Sequence, residues 1–453
     1  TSTSARPGRQ ENSTSATTAG AARRGRFGDG RGGAGRGTPH RTRRRGGADA
    51  RPGARHRGSV AEMRDASPAE PRAPLAPPRA MYLHVPFCPQ VCPYCDFHKM
   101  RRAEGLVAAY VARVAAEAAE LAARWTGSLR TVYLGGGTPS HLRDDELDAV
   151  LDAIERGWGG LGPEETTVEA DPRTFDRARL ARWRDRGVTR VSLGLQSTQD
   201  AVLAFLGRSH RGADARQALD DALASGLGVS ADVITAVPGQ DAEADLRAVA
   251  GSGAPHVSVY TLTIEAHTPF ARRGVRIDDD RAADDFDLAE AVLAEHGLRR
   301  YEVSNHARPG AESRHNAVYW RGEACLALGP GAAGLLPPDP SDPPGTVAVR
   351  TQNPPIKGWL RGDPPERTPL DGRAFALEKL MTGLRTLDGV DLAALRAATG
   401  VDAERAFPTA LATALRHGLL ELDGATLRAT RGGIRVLNAV LRGFFGEAAD
   451  AFD

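Results

Sequence analysis

"MYLHVPFCPQVCPYCDF", residues 81–97, decides how the chain is read. It opens as an apolar run of strand length and ends in a cysteine-rich turn, with Cys88, Cys92 and Cys95 spaced C-x3-C-x2-C. Three of the chain's four cysteines thus fall within eight positions. A disulfide needs two thiols, a nucleophile one, and a closed all-sulfur zinc site four. Three thiolates suit a [4Fe–4S] cluster that keeps one iron free of protein ligands, where a small molecule can chelate. The fourth cysteine, Cys325, lies in "EACLALGPG". Its apolar neighbours read as the setting of a buried structural thiol, although the chain could also bring it back to the triplet.

Working outward, short apolar runs recur: "TVYLGG", "TTVEA", "RVSLGLQ", "SADVITAV" and "HVSVYTLTI". Between them lie amphipathic stretches such as "LVAAYVARVAAEAAELAARW" and "DDELDAVLDAIERG", with apolar residues at helical spacing. Six strand–helix units predict an α/β fold with a parallel sheet and helical crossovers. Periodicity does not decide between a partial barrel and an open, doubly wound sheet. Polar residues end several of these strands, where parallel α/β proteins bind ligands: Glu169, Gln196 and Asp232, with Arg208 following in "FLGRSH". Singly each reads equally well as a cap or a surface residue; together they read as a ligand-lined mouth. "YLGGGTPS" (Tyr133–Ser140) adds three glycines through which backbone carbonyls can approach a cation, although a glycine triplet alone is as often a turn.

Composition bounds the remainder. Residues 1–80 hold 17 Arg, no Lys and 6 acidic residues, a net +11, leaving the other 373 with 42 basic and 51 acidic residues, a net −9. With 13 Gly, 8 Pro and few large apolar side chains, residues 1–80 cannot bury enough surface to offset chain entropy and are expected to be disordered. "GRFGDGRGGAGRG" is similar to an RNA-binding Gly-Arg tail, but 56 Arg against 3 Lys over the whole chain points to a genomic codon bias. Met81 is then an expected translation start. No specific nucleic acid is expected, since the folded part is acidic and phosphate attraction favours a basic face. No apolar run approaches the roughly 20 residues of a membrane span, and four cysteines are too few for a disulfide framework, so a cytoplasmic location is expected. Domains are expected at 81–334 (strand–helix units), 335–374 (a Pro-rich linker opened by "LPPDPSDPPG") and 375–453 (three helices and a hairpin, winged-helix-like).

The cysteine triplet followed by the glycine motif resembles the signature of the radical S-adenosylmethionine (SAM) superfamily, in which the open iron binds SAM. A narrower resemblance rests on "YLHVPFC", "GGGTPS", "GVTRVSLGLQS", "LGRSH", "YTLTIEAHTPF" and "YEVSNHARPG". It is to the group of oxygen-independent coproporphyrinogen III oxidase and its relative HemW, the heme chaperone. The resemblance implies a partial (β/α)6 barrel with a C-terminal helical domain. It also implies a cluster on Cys88, Cys92 and Cys95, and SAM contacts from Tyr82, Gly136, Gly137, Thr138, Glu169, Gln196, Arg208 and Asp232. The oxidase has a further cysteine where this chain has Phe97, a form typical of HemW. "RHNAVYW" fits the pattern associated with heme binding there, implying His315, Asn316, Tyr319 and Trp320. His306, where relatives often have an aromatic, reads as a tolerated surface change or as a second iron ligand. From the residues alone, His315 reads equally as a hydrogen-bonded histidine with Tyr319 and Trp320 in a core. The implied function is heme delivery to respiratory hemoproteins at the membrane face. The rival is oxidative decarboxylation of coproporphyrinogen III through a SAM-derived radical.

Overall fold

The computed structural model describes residues 74–450; the extension expected to be disordered lies, up to residue 73, outside the described residues. The run after Arg79 forms strand β1 (Ala80–Val85). It is followed by β2 (Thr131–Gly136), β3 (Glu165–Ala170), β4 (Arg190–Gln196), β5 (Gly228–Thr235) and β6 (His256–Thr261). All six pair in parallel and in sequence order. Right-handed crossovers with no reversal of order keep every helix on one face, so the sheet curls into a barrel wall instead of being doubly wound.

Period-2 alternation explains what each face does. Met81, Leu83, Val132, Leu134, Val168, Val191, Leu193, Val229, Val233 and Val257 point outward into the main core. There they meet residues such as Val114 of helix Glu104–Arg124 and Val150 of helix Asp144–Trp158. The alternate positions face the lumen and are mostly polar, including Glu165, Thr167, Glu169, Arg190, Ser192, Ser230, Asp232, His256 and Ser258. Aliphatic layers fill the lumen of a closed eight-stranded barrel. This lumen is instead built to hold something polar.

Six more strands complete a 12-stranded sheet: β7 (Arg299–Arg300), β8 (Asn305–Ala307), β9 (Cys325–Leu328), β10 (Ala333–Leu336), β11 (Ala348–Gln352) and β12 (Glu366–Leu370). Its order is β12-β11-β10-β9-β1-β2-β3-β4-β5-β6-β8-β7, so the wall ends at β12 on one side and β7 on the other and stays open. The expectation of a linker over 335–374 is therefore corrected. "AVRTQ" and "ERTPL" are paired strands, and the prolines sit where strands tolerate them: in the turn before β11, and at Pro369 in edge strand β12. Buried Glu117 ties the segment to the barrel, accepting from Gly329 N (2.9 Å), Asn353 Nδ2 (2.8 Å) and Trp359 Nε1 (2.7 Å). The first boundary also moves back: β1 starts at Ala80, Arg79 O accepts from Arg130 N at 2.6 Å, and Leu75 packs on the core beneath β10 to β12.

The C-terminal part starts at helix Gly372–Gly383, capped by Asp371. Helices Leu392–Thr399 and Pro408–Arg416 follow, then the hairpin Leu420–Asp423/Thr426–Ala429, to which Val390–Asp391 adds a third strand. Helix Leu437–Asp450 closes it. This is the helix-plus-wing pattern expected from the sequence. Leu380, Phe407, Leu411, Leu427 and Phe444 form its core, against which Phe286 and Val303 of the barrel pack.

Candidate functional site

The cysteine loop is closed at its base: Phe87–Cys88 pairs with Met100–Arg101, and Met100 N donates to Pro86 O at 2.8 Å. Its far side is pinned by Gln90 Nε2 donating to Gly207 O at 2.5 Å and Phe270 N donating to Pro93 O at 3.1 Å. Cys88 and Cys92 are buried and Cys95 is half-buried. Burial, together with the nearby Cys95 and Cys92, pushes the Cys88 thiol up to about 11, although a hydrogen bond with Thr138 pulls the other way. Burial raises the Cys95 thiol as well, so a cation nearby would favour the thiolate at both positions. Among the described residues no three His, Cys, Asp or Glu side chains come close enough to share one ion. In a cluster each thiolate takes its own iron and one iron stays open, so three cysteines on one loop fit a cluster better than a four-ligand zinc site.

The glycine motif lies directly on this loop. Gly137 N donates to Val85 O at 2.8 Å and Thr138 N to Phe87 O at 2.9 Å. Gly136 has φ +106°, and a Cβ there would sit 2.3 Å from the His84 ring; one on Gly137 would lie 2.7 Å from Val85 O. The close approach these glycines allow is thus first to β1, and only then to a ligand. Gly136 N and Tyr133 Oη both donate to Glu169, at 2.9 and 2.8 Å.

Glu169 and Asp232 face the lumen from β3 and β5. Burial raises their carboxyls to about 7 and about 6 respectively, against hydrogen bonds that act in the opposite sense. Ser192 Oγ donates to Asp232 at 3.2 Å. Tyr82 stacks on Tyr133 with ring centroids 6.1 Å apart, and its hydroxyl donates to His84 Nδ1 at 3.1 Å. His84 Nε2 donates to His98 O at 2.7 Å, and burial lowers the imidazole to about 4, so it stays neutral. Gln196 holds φ +68° at the irregularity between β4 and β5, a conformation a non-glycine residue keeps where its surroundings enforce it. Arg208 places Nη1 3.6 Å from Cys92 Sγ. The sequence-predicted set Tyr82, Gly136, Gly137, Thr138, Glu169, Gln196, Arg208 and Asp232 therefore shares the upper lumen and mouth with the cysteine loop.

The heme set lies lower and meets this set where Tyr82 and Tyr133 pack against Tyr319 and His315. Helix Arg314–Trp320 lies against the other end of the lumen, where the strands begin. Glu165, at the start of β3, accepts from Ser313 Oγ (3.1 Å), Arg314 N (3.0 Å) and His315 N (2.9 Å). His315 Nδ1 is hydrogen-bonded to Thr131 Oγ1 at 2.9 Å and Nε2 to Tyr319 Oη at 3.0 Å, and the ring stacks on Tyr133. Burial takes the imidazole down to about 3. Both ring nitrogens are occupied, so an iron reaches His315 only by displacing Thr131 or Tyr319. Trp320 is buried and Asn316 half-buried. His306 is no surface residue: it is fully buried in β8, with neither ring nitrogen partnered among the described residues. Cys325 pairs with Ala80, at the foot of β1, so it stays away from the triplet as a buried thiol.

Sequence reading missed Asp171, the partner of Arg208, and the lumen residues Tyr133, Glu165, Arg190 and His256. Their signal was present: within each strand the polar residues alternate with the apolar ones. Thr167 Oγ1 and Arg190 Nη2, paired across β3 and β4, have no partner among the described residues and mark the lower lumen as polar.

Comparison with known proteins identifies the family. Residues 82–249 match the radical SAM superfamily and residues 370–436 the HemN C-terminal domain. The chain is 32% identical over 381 residues to the heme chaperone HemW of Escherichia coli, covering 82% of this chain and 99% of that protein. It is 36% identical over 390 residues to the HemW of Mycobacterium tuberculosis, covering 82% and 95%. Coproporphyrinogen III oxidase (HemN) from Escherichia coli superposes with a TM-score of 0.69 at 18% identity, over 83% of this chain and 91% of that one, a likeness of fold. The chain belongs to the HemW family of the radical SAM superfamily.

Proposed function

We propose that this chain is a cytoplasmic heme chaperone that binds a [4Fe–4S] cluster, SAM and heme, and delivers heme to respiratory hemoproteins at the membrane face. The observation that carries the reading is the nearly end-to-end match to relatives named heme chaperones. Phe97, 55% exposed on the cysteine loop, supports it over decarboxylation of coproporphyrinogen III, since the oxidase group carries a further cysteine there. No helix among the described residues is long and apolar enough to cross a membrane, so contact with a membrane acceptor would be peripheral.

Cys88, Cys92 and Cys95 would hold the cluster, which when bound supplies one-electron chemistry and an open iron for SAM's amino and carboxylate groups. The protein's part is to orient and to neutralise. Glu169, fixed by Tyr133 and Gly136, would accept from the SAM amino group. Its carboxyl, raised from 4.5 to about 7, binds a proton in the folded state that the unfolded chain has already lost. Folding stability therefore falls as pH rises from 4.5 toward 7, and a bound cation offsets that loss. SAM affinity is expected to rise several-fold between pH 6 and pH 8 in calorimetric titrations, and Glu169→Gln to flatten the rise. An affinity independent of pH would remove Glu169 from the SAM site.

The function is tested by anaerobic heme titration of the reconstituted chain, read at the Soret band. Saturable binding near one heme per chain is expected, weakened in His315→Ala. Tyr319→Phe is expected to bind more tightly, because it frees His315 Nε2. Absence of saturable binding by the wild type would end the chaperone reading.

A further inference from the structure

Arg208 does more than line the mouth. Its side chain is 13% exposed and its guanidinium is split between two tasks. Nη1 lies 3.6 Å from Cys92 Sγ, while Nη2 donates to Asp171 Oδ2 at 2.6 Å and to Gly194 O at 3.0 Å. Asp171 is itself fixed and 9% exposed in its side chain. Its backbone N donates to Ser140 Oγ at 3.2 Å, its Oδ1 accepts from Arg173 N at 3.2 Å, and His210 Nδ1 stands 3.9 Å from Oδ2. A cation and an anion are thus held in line from a cysteine sulfur, in a place water screens poorly. Arg208 Nε is buried without a hydrogen-bond partner among the described residues, and the Tyr94 side chain also faces the guanidinium.

We propose that the Arg208–Asp171 pair sets the reduction potential of the cluster held by Cys88, Cys92 and Cys95, the guanidinium raising it and the carboxylate limiting the rise. This rests on the cluster reading given above. One electron, taken from an external low-potential one-electron donor, adds one negative charge behind the thiolates. A fixed positive charge within hydrogen-bond distance of one thiolate favours the more negative state, and charge and hydrogen bonds at the sulfurs are the levers by which proteins tune such clusters. Asp171, one guanidinium further out, cancels part of that field. Lys99, whose Nζ donates to Cys95 O and to Phe97 O, supplies a second cation on the loop. In this scheme Asp171 is a positioning residue that also trims the charge of the residue it positions.

The test is an anaerobic dithionite titration of the reconstituted full chain without SAM, followed by electron paramagnetic resonance, after iron and sulfide analysis of each variant. At the wild-type midpoint, Arg208→Gln is expected to lower the reduced-to-oxidised ratio about tenfold, equivalent to about 59 mV for one electron. Arg208→Lys, which keeps the charge, should stay within a factor of about three of wild type. Asp171→Asn keeps an acceptor for Nη2 and removes the opposing charge, so its potential should move in the positive direction. Unchanged potentials in variants with full cluster content would overturn the proposal. So would an Asp171→Asn shift in the same direction as Arg208→Gln, since Asp171 would then act only as a tether. A wild-type chain that takes up no iron and sulfide would instead defeat the cluster reading itself, a different failure with its own signature.

Discussion

Cys88→Ala is expected to reduce the iron and sulfide of the reconstituted chain from about four of each to well below one. The cause is geometric. Cys88 ends the strand pair that closes the base of the cysteine loop, beside Thr138 of the glycine turn, and it is buried. Two remaining thiols cannot hold a cluster against solvent. Cys325→Ala is the control, because Cys325 pairs with Ala80 at the foot of β1, and β1 alone spans about 17 Å. Its sulfur contacts Tyr319 Oη and Leu326 O, so its loss should cost about 1 kcal/mol of stability and no iron. Iron, sulfide and visible absorbance measured on both variants separate the roles; equal iron loss in the two would refute the assignment.

The second large effect is expected at the other end of the lumen. Glu165→Ala removes the acceptor for Ser313 Oγ, Arg314 N and His315 N, and leaves Arg190, 3.7 Å away, without its counter-ion. Breaking a buried pair from one side typically costs about 3–5 kcal/mol. Urea unfolding should show that loss, and hydrogen exchange should show the Arg314 and His315 amides opening before the barrel strands do. The helix that carries His315 would then be loosened, and heme uptake should change with it. Undiminished stability would mean that the helix is held by its other contacts alone.

The contrast between the two ends shows what the sequence could reveal. "HVPFC" and "YLGGGTPS" were legible because the chemistry is local: a few residues at fixed spacing make the loop and the turn that lies on it. The six parallel strands were legible from alternating runs, yet whether they curl followed only from their unreversed order. The Pro-rich stretch after Leu335 misled, because prolines dominate composition while β11 and β12 are fixed by cross-strand pairing, and Glu117, far off in sequence, ties down Asn353 and Trp359 between them. His315 shows the same limit. "RHNAVYW" pointed to a ligand, but whether its ring is free depends on Thr131, 184 residues away, and on Tyr319. The dependence of Arg208 on Asp171, across 37 residues and one intervening strand, was equally out of reach.

The most direct test of the chaperone reading is transfer. The heme-loaded chain, with its cluster intact, is mixed with heme-depleted respiratory membranes, and heme is followed from one to the other by absorbance and by recovered oxidase activity. Faster and more complete loading of the membrane hemoprotein than from free heme at equal concentration is the expected result, lost in His315→Ala. Heme that stays on the chain, or loads the acceptor no faster than free heme does, would contradict it.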